Sequence, residues 1–200
     1  MNSWTASSQE KTPSPWQLQA AAEKEKRRRE KGDSYSLFRA KYRHDPVAFL
    51  HDCVDWRKAE SGPTPYQIDV LRSLVERKRV AVRGPHGLGK TALSAWVILW
   101  FVLTRDGDTD WKVPTTAGSW GQLIHYLWPE IHKWANRLDW QKIGRPAFNN
   151  NAELLSLRLK LQTGESFAIA SDRAELIEGA HASSILYIYD ESKAIGDATF

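Results

Sequence analysis

Arg79-Val80-Ala81-Val82-Arg83-Gly84-Pro85-His86-Gly87-Leu88-Gly89-Lys90-Thr91 is the stretch from which the rest of the chain is read. Val80, Ala81 and Val82 are a short apolar run, the pattern of a buried strand over Arg79 to Arg83. Gly84 to Thr91 match G-x-x-x-x-G-K-[ST] in full, the phosphate-binding loop that joins a strand to a helix. The helix is expected at once. Ala92 to Leu103 has no polar face after Ser94, as in a helix packed on all sides. Backbone N–H groups must converge on an anionic phosphate chain, so the loop has to turn tightly and approach closely. Gly84, Gly87 and Gly89 permit that, with Pro85, His86 and Leu88 between them. The helix N-terminus adds the positive end of its dipole. Lys90 is placed to charge-pair with the β- and γ-phosphates of ATP, and the Thr91 hydroxyl to coordinate Mg2+.

A second stretch answers the first. Ile185-Leu186-Tyr187-Ile188-Tyr189-Asp190-Glu191 is an apolar strand that ends in two carboxylates. In a parallel sheet its carboxyl end would lie beside the phosphate loop, where such folds bind ligands. Asp190 is then a candidate Mg2+ ligand and Glu191 a candidate general base, polarising the water that attacks the γ-phosphorus. Alone, the pair reads as a solvated acidic strand end. Beside a complete phosphate loop it reads as the other half of an ATP site.

Weaker candidates surround these two. In Pro65-Tyr66-Gln67, a glutamine amide can pair with adenine as donor and acceptor, and the tyrosine beside it can stack on the base. The alternative is a helix start with a core tyrosine. Arg83, immediately before the loop, is the nearest candidate for countering charge at the γ-phosphate, with Arg173 or a residue from a neighbouring subunit as alternatives. His86 and His181 read more simply as loop histidines.

Outward from the motifs, Asp45-Pro46 and Thr64-Pro65 are helix starts, each with a capping residue before a proline at the first helical position. Lys112 to Thr116 reads as a strand, and Ser119 opens a helix carrying Leu123, Leu127, Ile131 and Trp134. Leu155 to Leu161 and Ser166 to Ala170 read as an antiparallel hairpin about Thr163-Gly164-Glu165. The fold class expected is α/β, a P-loop NTPase with a mostly parallel central sheet covered by helices on both faces. Residues 1–33 form a disordered or helical basic arm, 34–62 a helical lead-in, and 63–200 the ATPase domain.

Composition sets the outer limits. The 200 residues are 42% hydrophobic and 26% charged, the balance of a globular protein. One cysteine, Cys53, excludes an intrachain disulfide. No signal-peptide pattern is seen at the amino end, and the longest apolar run, Ala95 to Leu103, is far below the ~20 residues of a membrane span. A cytoplasmic protein with no membrane partner is expected. The net charge of +4 suits a nucleic-acid partner without requiring one. Residues 1–60 hold 12 Lys and Arg against 9 Asp and Glu, so the excess lies toward the amino end. The mixed-sign run Glu23 to Lys31 reads first as a solvated helix face. The ten tryptophans are scattered, which suits packing better than a base-stacking platform.

Taken in order, five segments resemble the N-terminal ATPase half of a phage terminase large subunit. They are Pro65-Tyr66-Gln67, Val82 to Thr91, Thr115-Thr116-Ala117 with Leu127-Trp128-Pro129-Glu130-Ile131, Ile177-Glu178-Gly179-Ala180-His181, and Tyr189-Asp190-Glu191-Ser192. The resemblance runs from about Pro63 to Phe200. It implies ATP-driven translocation of double-stranded DNA, a ring on a portal, a small terminase subunit as partner, and a phage or prophage gene expressed in the host cytoplasm. By the same resemblance, Lys90, Thr91, Asp190 and Glu191 are the ATPase residues and Gln67 reads adenine. Terminases continue with a coupling segment and a nuclease half that this sequence does not include. A truncated motor domain with an incomplete sheet is therefore expected. A helicase-like DNA-dependent ATPase and a remnant that binds nucleotide without turnover are the alternatives.

Overall fold

The computed structural model describes residues 14–58, 62–170 and 181–191. Residues 1–13, the first part of the expected arm, lie outside the described residues, as do Arg173, the segment from Ile177 to Ala180 and Ser192 to Phe200. From Pro15 onward the arm is helical. Helix α1 (Pro15–Tyr42) runs across the boundary expected at residue 33. Pro15 suits the first turn, and the Gln, Ala, Glu, Lys and Arg residues that follow are good helix formers.

Helix α2 (Pro46–Cys53) starts as expected: the Asp45 side chain accepts from the Ala48 N–H at 2.8 Å. Helix α3 (Pro65–Arg77) follows Thr64 and ends at Lys78, whose φ is 63°. Helix α4 (Lys90–Arg105) is the apolar run after the loop, with Ala95 to Thr104 buried throughout. Helix α1 packs on it. The Tyr35 hydroxyl donates to the Leu103 carbonyl at 2.9 Å, and Trp100 Nε1 donates to the Tyr42 carbonyl at 2.7 Å. Strand β1 (Trp111–Ala117) is buried along its length apart from Lys112. Next comes a nearly continuous helical stretch: α5 (Trp120–Gln122), a π-helical turn over Leu123–Leu127, and α6 (Trp128–Ala135). Leu123, Leu127, Ile131 and Trp134 all face inward, as their spacing requires. A short helix α7 (Trp140–Ile143) completes this layer. Three of the tryptophans pack on one another: Trp56, Trp96 and Trp134 meet with ring centroids 4.9–5.5 Å apart.

The remaining strands are β2 (Leu154–Leu155), β3 (Arg158–Lys160), β4 (Gly164–Ala168), β5 (Ser184–Ile185) and β6 (Ile188–Asp190). The architecture is α/β with a mixed sheet in the order β2-β3-β4-β1-β5, and β6 also pairs with β1. Strand β1 is parallel to β4, β5 and β6, whereas β2-β3 and β3-β4 are antiparallel. The sheet is thus less parallel than expected, because the hairpin supplies half of its order. No described helix is long and apolar enough to cross a membrane.

Three strands differ from the sequence reading. Leu155 to Leu161 does not run straight; a turn at Ser156-Leu157 splits it into β2 and β3. Ile185 to Tyr189 is interrupted at Leu186-Tyr187, yet β5 and β6 keep one register against β1. The gap lies opposite Val113-Pro114. Leu186 N–H donates to the Lys112 carbonyl at 3.0 Å, and Pro114 has no N–H with which to continue the ladder. The third correction is the largest. Arg79 to Arg83 is not a buried strand: Val80 is 37% and Val82 38% exposed. Among the described residues it has no ladder partner. Without a neighbouring strand, its alternating valines have nothing to bury against.

Candidate active site

The loop from Gly84 to Gly89 turns through two glycines in the left-handed region, Gly87 at φ 83° and Gly89 at φ 73°. A side chain at either would be strained. Gly89 is also the N-cap of α4, and its carbonyl accepts from the Leu93 N–H at 3.0 Å. Pro85, His86, Gly87 and Leu88 are exposed. Lys90 arches back over its own loop. Its Nζ donates to the Gly84 carbonyl at 3.0 Å and to the Pro85 carbonyl at 2.8 Å. The ammonium is therefore held by the carbonyls of its own loop.

Asp190 arrives from the other end of the sequence. Strand β6 sets it opposite Ala117, at the carboxyl end of the parallel strands, with 6% of its surface exposed. Burial raises the pKa of its carboxyl above the ordinary value, and the neighbouring Glu191 charge raises it further. The Lys90 ammonium and the Thr91 hydroxyl pull it back. Lys90, Thr91, Asp190 and Glu191 are thus brought to one place. Glu191 has a φ of 51°, left-handed for a non-glycine residue, and backbone strain of this kind gathers at functional sites. Its carboxylate lies 4.0 Å from His86 Nδ1, so that loop histidine belongs to the cluster as well.

The donor set fits Mg2+. A threonine hydroxyl and a buried carboxylate are hard oxygen ligands, and this ion binds through one or two carboxylates plus substrate phosphates. Among the described residues no group of three or more His, Cys, Asp or Glu gathers as a metal centre.

The weaker candidates are placed differently. Arg83 is exposed, and no hydrogen bond or ion pair among the described residues joins it to Asp190 or Glu191. His181 is exposed too. Tyr66 and Gln67 do reach the loop, but through its backbone. The Tyr66 hydroxyl donates to the Leu88 carbonyl, and Gln67 Nε2 donates to the Gly89 carbonyl at 3.1 Å. Gln67 Oε1 accepts from Thr64 N at 2.8 Å and from Thr64 Oγ1 at 3.0 Å. Both ends of the amide are engaged by the protein, and Gln67 is 4% exposed. The Thr64–Gln67 half was readable as a capping box, Thr-x-x-Gln ahead of an apolar helix. The loop half was not, since nothing local links residues so far apart in sequence.

Comparison of the chain with protein-family models, with curated proteins and with solved structures finds no match.

Proposed function

We propose that this chain is an ATP-hydrolysing motor domain of P-loop NTPase type, like the ATPase half of a DNA-packaging terminase, coupling hydrolysis to translocation of double-stranded DNA. One observation carries the reading: the buried carboxyl of Asp190 feels both Lys90 and Thr91, the two residues that close the phosphate loop. A chance glycine loop would have no reason to meet a buried acid there. The open loop glycines and the left-handed Glu191 add support.

On this reading the amides of Gly87, Gly89 and Lys90 cradle the phosphates, and the Lys90 ammonium leaves its loop carbonyls for the phosphate oxygens. Thr91 and Asp190 would hold Mg2+, which when bound neutralises charge developing on the β- and γ-phosphate oxygens. Glu191 accepts the proton of the attacking water. Arg83, or a residue from a neighbouring copy, supplies the positive charge for the transition state. Ring assembly on a portal, a small terminase subunit and the host cytoplasm belong to the same proposal.

The test is phosphate release by the purified chain with Mg-ATP. Release that rises with double-stranded DNA is expected. Lys90→Ala should abolish binding. Glu191→Gln should cut turnover ~100-fold or more while leaving affinity within about twofold, the signature of a lost general base. Stimulation by single strands alone would favour the helicase-like reading. ATP binding without turnover would leave a nucleotide-binding remnant, and no binding at all would end the nucleotide reading.

A further inference from the structure

The contacts from α3 to the loop fall on two successive peptide carbonyls. Tyr66 pins Leu88 C=O and Gln67 pins Gly89 C=O. A trans peptide is planar, with its C=O and N–H pointing in opposite directions. Fixing those two oxygens therefore fixes the direction of the next two donors, Gly89 N–H and Lys90 N–H. These are the amides at the turn from loop into α4, where the helix dipole and the lysine charge add to them. The packing is close. A methyl group at Gly89 would stand 2.9 Å from Gln67 Nε2, so the glycine makes room for the glutamine. The glutamine is in turn locked by Thr64, through the backbone N–H and hydroxyl that bind its oxygen.

We propose that Tyr66 and Gln67 are positioning residues that aim the Gly89 and Lys90 amides at a polyphosphate, and that the Gln67 amide serves the loop rather than the base. The proposal rests on the nucleotide reading above. It makes the site a reader of the triphosphate chain, with Tyr66 and Gln67 contributing equally whatever base is attached.

Two variants test the effect. Gln67→Met fills a similar space without adding charge and removes the N–H donor to Gly89, together with the oxygen that Thr64 binds. Tyr66→Phe keeps the ring and loses only the hydroxyl to Leu88. Both are compared with the unaltered chain by calorimetric titration with Mg-ATP, Mg-GTP and Mg-tripolyphosphate, after melting curves establish that they fold. Each variant should weaken all three ligands by a similar factor, about three- to tenfold, as for the loss of one hydrogen bond. A loss confined to ATP, with GTP and tripolyphosphate untouched, would make Gln67 a base reader and overturn the proposal. Unchanged affinity for all three would overturn it equally. An unaltered chain that binds none of the three defeats the nucleotide reading itself, a result distinct from any difference between variants.

Discussion

At the scale of single residues, Asp190 is held under conditions that oppose its charge: it is buried, and a second carboxylate follows it. The raised pKa has a definite consequence for stability. The folded chain binds this proton more tightly than the unfolded chain does. The residue's contribution is therefore fully present below the unfolded value, about 4 for an aspartate, and is lost as pH rises through the folded value. On the proposed function, the charged form is kept at neutral pH at a cost to stability, because the site must present a carboxylate. Asp190→Asn should accordingly raise stability at pH 7, by about 1 kcal/mol, the usual gain from relieving a destabilised active-site group. The gain should shrink as pH falls toward 4, and, if the proposed function holds, ATP turnover should disappear at every pH. Chemical denaturation of both chains at a series of pH values measures the difference. A gain that is the same at pH 7 and pH 4 would mean that the carboxyl's ionisation is not its source.

At the scale of elements, the helix after the loop is anchored at its far end by another buried aspartate. Asp106, just past α4, is 5% exposed. Its Oδ1 accepts from Thr163 N at 2.9 Å, from Thr163 Oγ1 at 3.3 Å and from Trp111 Nε1 at 3.4 Å, while its own carbonyl accepts from Arg39 of α1. One side chain thus ties α4 to the starts of β1 and β4. Asp106→Ala would leave the partly buried Thr163 N–H and the buried Trp111 indole N–H without this acceptor, and should cost ~2 kcal/mol. Asp106→Asn keeps an acceptor oxygen and should cost about 1 kcal/mol or less. Equal losses by thermal unfolding would contradict this account. Nothing in the spacing around Asp106 announced the anchor, since its partners lie in a distant turn. The same holds for the strands. Alternation in Leu155 to Leu161 and in Val80 to Val82 says which side chains share a face, but not which backbone lies alongside. Pairing depends on neighbours far away in sequence. What was legible was local geometry with fixed spacing: the glycine turn leading into the apolar α4, the helix starts at Asp45 and Thr64, and the last strand segment ending at Asp190. The break opposite Pro114 was not read from the sequence, because it shows only once β5 and β6 are known to lie on that proline's N–H side.

At the scale of the whole molecule, these pieces form an asymmetric support for the loop. On its carboxyl side the loop runs directly into α4, which is buried among α1, α6 and the sheet. On its amino side it hangs from Arg79 to Arg83, exposed and unpaired among the described residues. A ligand gripped by Gly87, Gly89, Lys90 and Thr91 bears on both supports, but only one of them has order left to gain. Two signals should therefore separate on titration with Mg-ATP. Globally, a ligand that binds only the folded chain stabilises it by mass action, about 2.7 kcal/mol when its concentration is a hundred times its Kd. Lys90→Ala should remove that gain. Locally, the amides of Val80 to Arg83 should exchange with solvent quickly without ligand and slow with it by more than the global term accounts for. Amides in the middle of α4, such as those of Ile98 and Leu99, should follow the global term alone. Hydrogen exchange read residue by residue makes the comparison. If Val80 to Arg83 are already as protected as α4 without ligand, the segment has a backbone partner and the loop is braced on both sides. If they stay unprotected at saturating Mg-ATP, phosphate binding does not reach past Gly84, and α4 alone carries the grip of the loop.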